Sequence, residues 1–141
     1  MADAPCLFCE IAAGRVRQAN FIARLSVSVA VLHWSQAYRG RTILILGHHH
    51  EDLAALEPDV FASFAEDLRR ISAATKAAFG SVKTNAALFS MVMPHLHWHA
   101  VPRTPEDPRW GGMPFPDAEP DGPVDGIDYA DIALRIQSAL R

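Results

Sequence analysis

Between Phe21 and Leu46 the chain is a run of short apolar stretches broken by turn-forming residues. Phe21-Ile22-Ala23-Arg24 and Val27-Ser28-Val29-Ala30-Val31-Leu32 are rich in β-formers, with Leu25-Ser26 as the turn between them. Tyr38-Arg39-Gly40-Arg41 supplies the next turn. Thr42-Ile43-Leu44-Ile45-Leu46 is a continuous apolar run between Gly40 and Gly47, the pattern of a central buried strand. Three strands so close in sequence favour an antiparallel meander.

The period then lengthens. Over 57–79, Phe61, Phe64, Leu68, Ile71, Thr75 and Ala78 recur three and four apart, which predicts one long helix with a core-facing stripe. Glu66, Asp67, Arg69 and Arg70 fall largely outside that stripe. Pro58 suits a first helical turn, Asp59 adds negative charge there, and Gly80 supplies the stop. Val82 to Phe89 predicts a strand that leads, through Ser90 to Pro94, into a second alternating stretch, Pro94 to Arg103. Beyond it, 104–127 is rich in proline, glycine and acidic residues and predicts a long irregular loop, with Trp110 anchoring it on the core. The closing segment, 128–141, predicts a helix with Tyr129, Ile132, Ile136 and Leu140 on one face. These elements make an α+β fold: an antiparallel sheet, one long helix and a C-terminal helix.

Composition narrows the function classes. A chain of 141 residues, half of them apolar, predicts a single domain, 1–141, with an ordinary core. The net charge of −3 provides no basic footprint, so nucleic acid is not an expected partner. No apolar run approaches the roughly 20 residues that span a bilayer. The N-terminal residues carry neither a basic region nor an apolar one, so they do not read as a signal peptide. A cytoplasmic protein is the default expectation.

Candidate chemistry sits at three places. In a strand, His95, His97 and His99 would share one face while Leu96, Trp98 and Ala100 line the other. A row of imidazoles suits phosphate chemistry or a metal, because each titrates near neutral pH and offers two distinct nitrogens. Cys6-Leu7-Phe8-Cys9 holds both cysteines, and its spacing fits either a redox pair or half a zinc site. His48-His49-His50 follows the central strand, where one of the three can serve as a ligand and the other two sit in a solvated turn. Asn85 is the lone amide of its segment.

Together these residues resemble the histidine triad (HIT) family of nucleotide hydrolases and transferases. The family pattern His-φ-His-φ-His-φ-φ, with φ apolar, is met by His95-Leu96-His97-Trp98-His99-Ala100-Val101, and Arg39 to His49 looks like the family strand that ends in a histidine. Asp107-Pro108-Arg109-Trp110 is similar to a bacterial branch related to diadenosine tetraphosphate hydrolases. The resemblance covers 6–103, the core of the domain, and implies a HIT-like sheet of about five strands, a homodimer, and a nucleotide as small-molecule substrate. It also implies a structural zinc held by Cys6, Cys9, His49 and His95, with no catalytic cofactor. His97 matches the nucleophile that attacks the α-phosphorus of a dinucleoside polyphosphate or nucleoside phosphoramidate. His99 matches the group that steadies the phosphate, and Asn85 and Ser90 match substrate-binding positions. Two departures stand out. Ser90-Met91-Val92 replaces the family's Gly-Gln-Ser/Thr or Gly-Asn, and His33 stands where an acidic residue often holds the ribose. The alternative is a zinc-stabilised nucleotide-binding protein with little or no catalysis.

Overall fold

The computed structural model describes residues 5–115 and 119–141. Five strands, β1 (Phe21–Arg24), β2 (Ser28–Leu32), β3 (Thr42–Leu46), β4 (Lys83–Ala87) and β5 (His97–Arg103), form one antiparallel sheet in the order β1-β2-β3-β5-β4. The first three are the expected meander. The segment before β5 then carries the chain back so that β5 lies between β3 and β4. Both C-terminal strands are shorter than the sequence pattern suggested, and the histidine stretch becomes a strand only at His97.

Helix α2 (Pro58–Phe79) and helix α3 (Tyr129–Ala139) cover one face of the sheet. That face carries Ala30, Leu32, Leu44, Leu46 and Ala100, packed against Phe64, Ile71, Ala74, Tyr129, Ile132 and Ile136. A shorter helix, α1 (Leu7–Ala12), lies on the opposite face, where Ile11 and Ala12 pack with Val29, Val31 and Ile45. No periodicity announces α1, since six residues are too few to show a helical repeat. With both faces covered along its centre, β2 is buried at every position, which explains the apolar run Val29–Leu32.

Helix α2 ends where Gly80 adopts a left-handed conformation, φ 72°, and its N–H reaches the Lys76 carbonyl at 2.8 Å. Gly40 has a second role for a missing side chain. Its φ is 89°, and a Cβ there would sit 3.0 Å from the Phe79 ring, so the turn before β3 can close directly on the end of α2.

The α2 stripe needs two corrections. Phe61 is 40% exposed, because the inward line of the helix runs through Val60, Phe64, Asp67, Ile71 and Ala74 and Phe61 lies to one side of it. Asp67 is fully buried. It sits against the β1–β2 turn, where its carboxylate accepts from the Ser26 and Val27 amides and from the Ser26 and Ser28 hydroxyls at 2.6–3.2 Å. Four donors compensate its desolvation, so a charge inside the stripe ties the long helix to the turn. Phe64, fully buried against the Trp98 ring at 5.8 Å, carries the packing itself. Phe64→Ala is expected to lower stability by about 3–5 kcal/mol in denaturant melts. A loss below half a kilocalorie would show that the site collapses around the change.

Beyond Arg103 the loop is held by that arginine and not by Trp110. Arg103 donates to Asp107 (2.9 and 3.2 Å), Asn85 (2.6 Å) and the carbonyls of Arg109 and Gly112 (2.8 and 2.9 Å). Trp110 is 44% exposed and lies over the Lys83 and Arg103 cations instead of the core. A guanidinium with five donors can satisfy several loop carbonyls at once, which an indole cannot. Among the described residues, no helix is long and apolar enough to cross a membrane.

Candidate functional site

The face of β5 that bears His97 and His99 is continued by Ile43 and Ile45 of β3, which stand opposite those histidines in register. His97 opens β5 and is anchored there by its pairing with Ile45. Phe8 of α1 packs edge-on to its ring at 4.9 Å, leaving His97 only 6% exposed. The His97 Nδ1 lies 2.7 Å from the His95 carbonyl oxygen. A carbonyl only accepts, so Nδ1 carries the proton and Nε2 holds the ring's lone pair. Burial lowers the pKa of His97, so the ring favours the neutral form.

Ser90 supports this arrangement from the preceding loop. Its hydroxyl accepts from the His97 amide at 3.3 Å and lies 3.5 Å from Nδ1. Ser90 has φ 52°, a left-handed conformation unusual for a residue with a Cβ. The strain keeps the hydroxyl turned inward while Met91 and Val92, 83% and 102% exposed, point out to solvent.

His99 lies next to His97, ring centroids 5.0 Å apart, and faces His33 at 6.4 Å. Burial first, then the neighbouring His97, Arg41 and His33, push the pKa of His99 down to about 3. Burial and Arg41 take His33 to about 4, against a smaller opposing pull from Glu119. Both rings are consequently neutral near pH 7. Among the described residues the His99 Nδ1 has no hydrogen-bond partner although it is buried. A pocket of about 460 Å³ opens over this group, lined by His33, Arg41, Ser90, His97, His99 and Glu119 and rimmed by Phe89, Met113 and Phe115. Its size and mixed lining suit a small molecule with a polar end and a flat apolar part.

Asn85 is not brought to this pocket. It stands on β4 opposite Val101, two residues past His99, and its Oδ1 accepts from Arg103. It lines a separate hollow with Lys83 and Trp110.

His95 departs from the shared face. It precedes β5, is fully buried, and turns its ring toward the N-terminal segment. Its Nδ1 lies 3.5 Å from both the Cys6 and Cys9 sulfurs, and the His49 Nδ1 lies 3.3 Å from Cys9. The four donor atoms all fall within 4.8 Å of one another. A tetrahedral zinc with ordinary bond lengths has S···N edges of about 3.5 Å, so this set fits such an ion. The outer nitrogens fit as well. His95 Nε2 donates to the Leu46 carbonyl at 2.7 Å and His49 Nε2 faces Glu51 at 3.2 Å, which fixes both rings with Nδ1 available to a metal. Of the three adjacent histidines it is His49 that joins the cysteines. α1 begins immediately after Cys6 and holds Cys9 one turn away, so the helix that sequence patterning missed aligns the two thiols.

Sequence reasoning also missed Arg41 and Glu119. Arg41 reads as a turn residue before β3 but is 1% exposed, on the same face as Ile43 and close to His99. Nothing local in the sequence could indicate Glu119, because the loop conformation alone delivers it to Arg41 at 3.0 Å.

The HIT domain profile matches residues 15–106. Among solved structures, the chain is similar to a zinc-bound histidine triad family protein from Mycobacterium smegmatis, with 22% identity, TM-score 0.73, and coverage of 96% of this chain and 92% of that one. It is also similar to a hypothetical histidine triad nucleotide-binding protein from Sulfolobus tokodaii (21% identity, TM-score 0.74, coverage 95% and 91%). A HIT family protein from Bacillus anthracis shares 28% identity at TM-score 0.67, with coverage of 80% and 82%. The first two likenesses establish the fold. Among curated proteins no sequence match is found.

Proposed function

The chain belongs to the HIT domain family, and on that premise we propose that it is a nucleotide hydrolase or nucleotidyl transferase working through a covalent nucleotidyl-His97. The reading places it in the bacterial branch related to diadenosine tetraphosphate hydrolases, as a cytoplasmic enzyme of small nucleotides. One observation carries it: the His95 carbonyl fixes the His97 tautomer and leaves Nε2 as the basic nitrogen of a buried, neutral ring.

In the proposed cycle Nε2 attacks the α-phosphorus of an adenosine-type phosphoanhydride or phosphoramidate. The N–P bond forms as the bond to the leaving group breaks, and the leaving group departs with the electron pair. Water then attacks the same phosphorus, the N–P bond breaks back to His97, and nucleoside monophosphate is released. Two displacements replace one harder one. His99, neutral and without a partner at Nδ1, donates to a phosphate oxygen as charge grows there. Ser90 acts mainly by holding His97, and the amide of Asn85, engaged by Arg103, serves the sheet more than the substrate.

Cys6, Cys9, His49 and His95 would hold a structural zinc, whose closed ligand set leaves no open position for chemistry. The zinc carried by the Mycobacterium smegmatis protein supports the choice of metal. Zinc would fasten α1, and hence Phe8, over His97.

A homodimer completes the proposal, with β4, an edge of the sheet, available for pairing across a two-fold axis. Sedimentation is expected to give twice the chain mass; a concentration-independent monomer would remove the dimer. The test of the activity is a panel of adenosine phosphoanhydrides and phosphoramidates assayed for nucleoside monophosphate. The exposed, non-donating side chains of Met91 and Val92 favour a second reading, nucleotide binding with little turnover, and that panel decides between the two.

A further inference from the structure

The histidine pocket contains a fixed charge that the proposed cycle does not use. Arg41 is 1% exposed, a burial an arginine tolerates only with compensation. Its Nη2 meets the Glu119 carboxylate at 3.0 Å, and its guanidinium lies 5.3 Å from the Phe115 ring centre. Among the described residues its Nε has no partner. The buried cation is therefore only half satisfied, and its counter-charge comes from the irregular loop and not from the sheet. Glu119 is itself part exposed, with 30% of its side chain open to solvent. An anion entering from the pocket mouth can take its place.

Other groups around the pocket limit what leaving group the site can release. Ser90 offers only a weakly acidic hydroxyl, held against the His97 amide, Met91 and Val92 have no proton to give, and burial keeps His99 and His33 unprotonated. An amine leaving from a P–N bond needs a proton, whereas a phosphate leaving from an anhydride departs as an anion and needs only a cation beside it. Arg41 is that cation.

We propose that Arg41 is the anion subsite of this pocket, binding the phosphate next to the one attacked, and that Glu119 occupies it until substrate arrives. The inference rests on the proposed function for its kinetic half only. It makes the protein a phosphoanhydride enzyme in preference to a phosphoramidate one, with a carboxylate of its own loop competing for the leaving group's site.

Calorimetric titration with inorganic pyrophosphate tests the subsite without turnover. Glu119→Gln, which removes the competing charge, is expected to tighten pyrophosphate about tenfold, and Arg41→Gln to weaken it by about as much or more. Arg41→Lys keeps the charge but loses the planar fork and is expected to fall between. If Arg41→Gln does not fold, Glu119→Gln on the exposed loop still decides the matter. In kinetics, Glu119→Gln is expected to raise the kcat/KM ratio of anhydride over phosphoramidate several-fold. Pyrophosphate affinity unmoved by Glu119→Gln overturns the subsite even if His97-dependent turnover is intact. So does weaker binding of both substrates in Glu119→Gln, since the carboxylate would then be a substrate contact. Conversely, the expected pyrophosphate pattern in a protein that releases no nucleoside monophosphate sinks the enzymatic reading and leaves the anion subsite in place.

Discussion

His97→Ala is expected to lower nucleoside monophosphate release by a factor on the order of 10⁴–10⁶, as loss of a covalent nucleophile does elsewhere. It is also expected to abolish the nucleotidyl-protein adduct seen by mass spectrometry of an acid-quenched reaction. Nucleotide affinity should stay within a few-fold, because most of the pocket wall is supplied by side chains other than His97. His99→Ala makes the contrast. Its expected effect is about 10²–10³ in rate with the adduct still formed, since it removes one hydrogen-bond donor to developing charge and no bond-forming atom. The two variants separate the roles cleanly because the rings are adjacent but differently held: His97 is fixed by the His95 carbonyl, whereas the His99 Nδ1 is buried with no hydrogen-bond partner among the described residues. Equal phosphoramidate turnover in wild type and His97→Ala would rule out the covalent route and leave the nucleotide-binding reading.

Loss of one cysteine is expected to have the second largest effect. Protein purified without chelator should contain close to one zinc per chain by elemental analysis, and Cys9→Ser should contain essentially none. Structural zinc sites contribute folding free energy directly, so a loss of about 3 kcal/mol or more, a drop of roughly 10 °C in Tm, is expected in scanning calorimetry. Activity should fall with it, because the freed α1 no longer keeps Phe8 over His97. The neighbouring histidines supply the internal control. His49→Ala should lose the metal, whereas His48→Ala and His50→Ala should keep it, since of these three it is His49 that reaches Cys9. Metal-free wild-type protein of unchanged stability would leave Cys6 and Cys9 as two ordinary thiols.

The largest legible part of the site was the triad itself. Alternation of His95, His97 and His99 with apolar residues states a two-sided strand, and β5 carries His97 and His99 on one face as that rule requires. His95 escapes the rule because the strand begins two residues after it, and an alternating pattern does not mark where pairing starts. The C-x-x-C motif left redox and zinc chemistry both open until the resemblance supplied a ligand set. In the fold, α1 and the ends of β3 and β5 converge on four donor atoms. The Asp67 misplacement has a different cause. Charge is a good marker of a solvated helix face only when no cluster of donors waits opposite, and the donors here come from a turn some forty residues earlier.

By itself the sequence determined the elements and their chemistry: the meander, the long helix with its Gly80 stop, the terminal helix and the histidine strand. Each is encoded by residues within a few positions of one another, where periodicity, turn propensity and capping act. The tertiary structure alone decided what depends on distant segments meeting. It inserted β5 between β3 and β4, set α1 over His97, spent Asn85 on Arg103, and brought Glu119 to Arg41. Contacts of that kind follow from packing and charge compensation in the assembled core, and a buried Arg41 has no signature in the chain until the sheet and the loop enclose it.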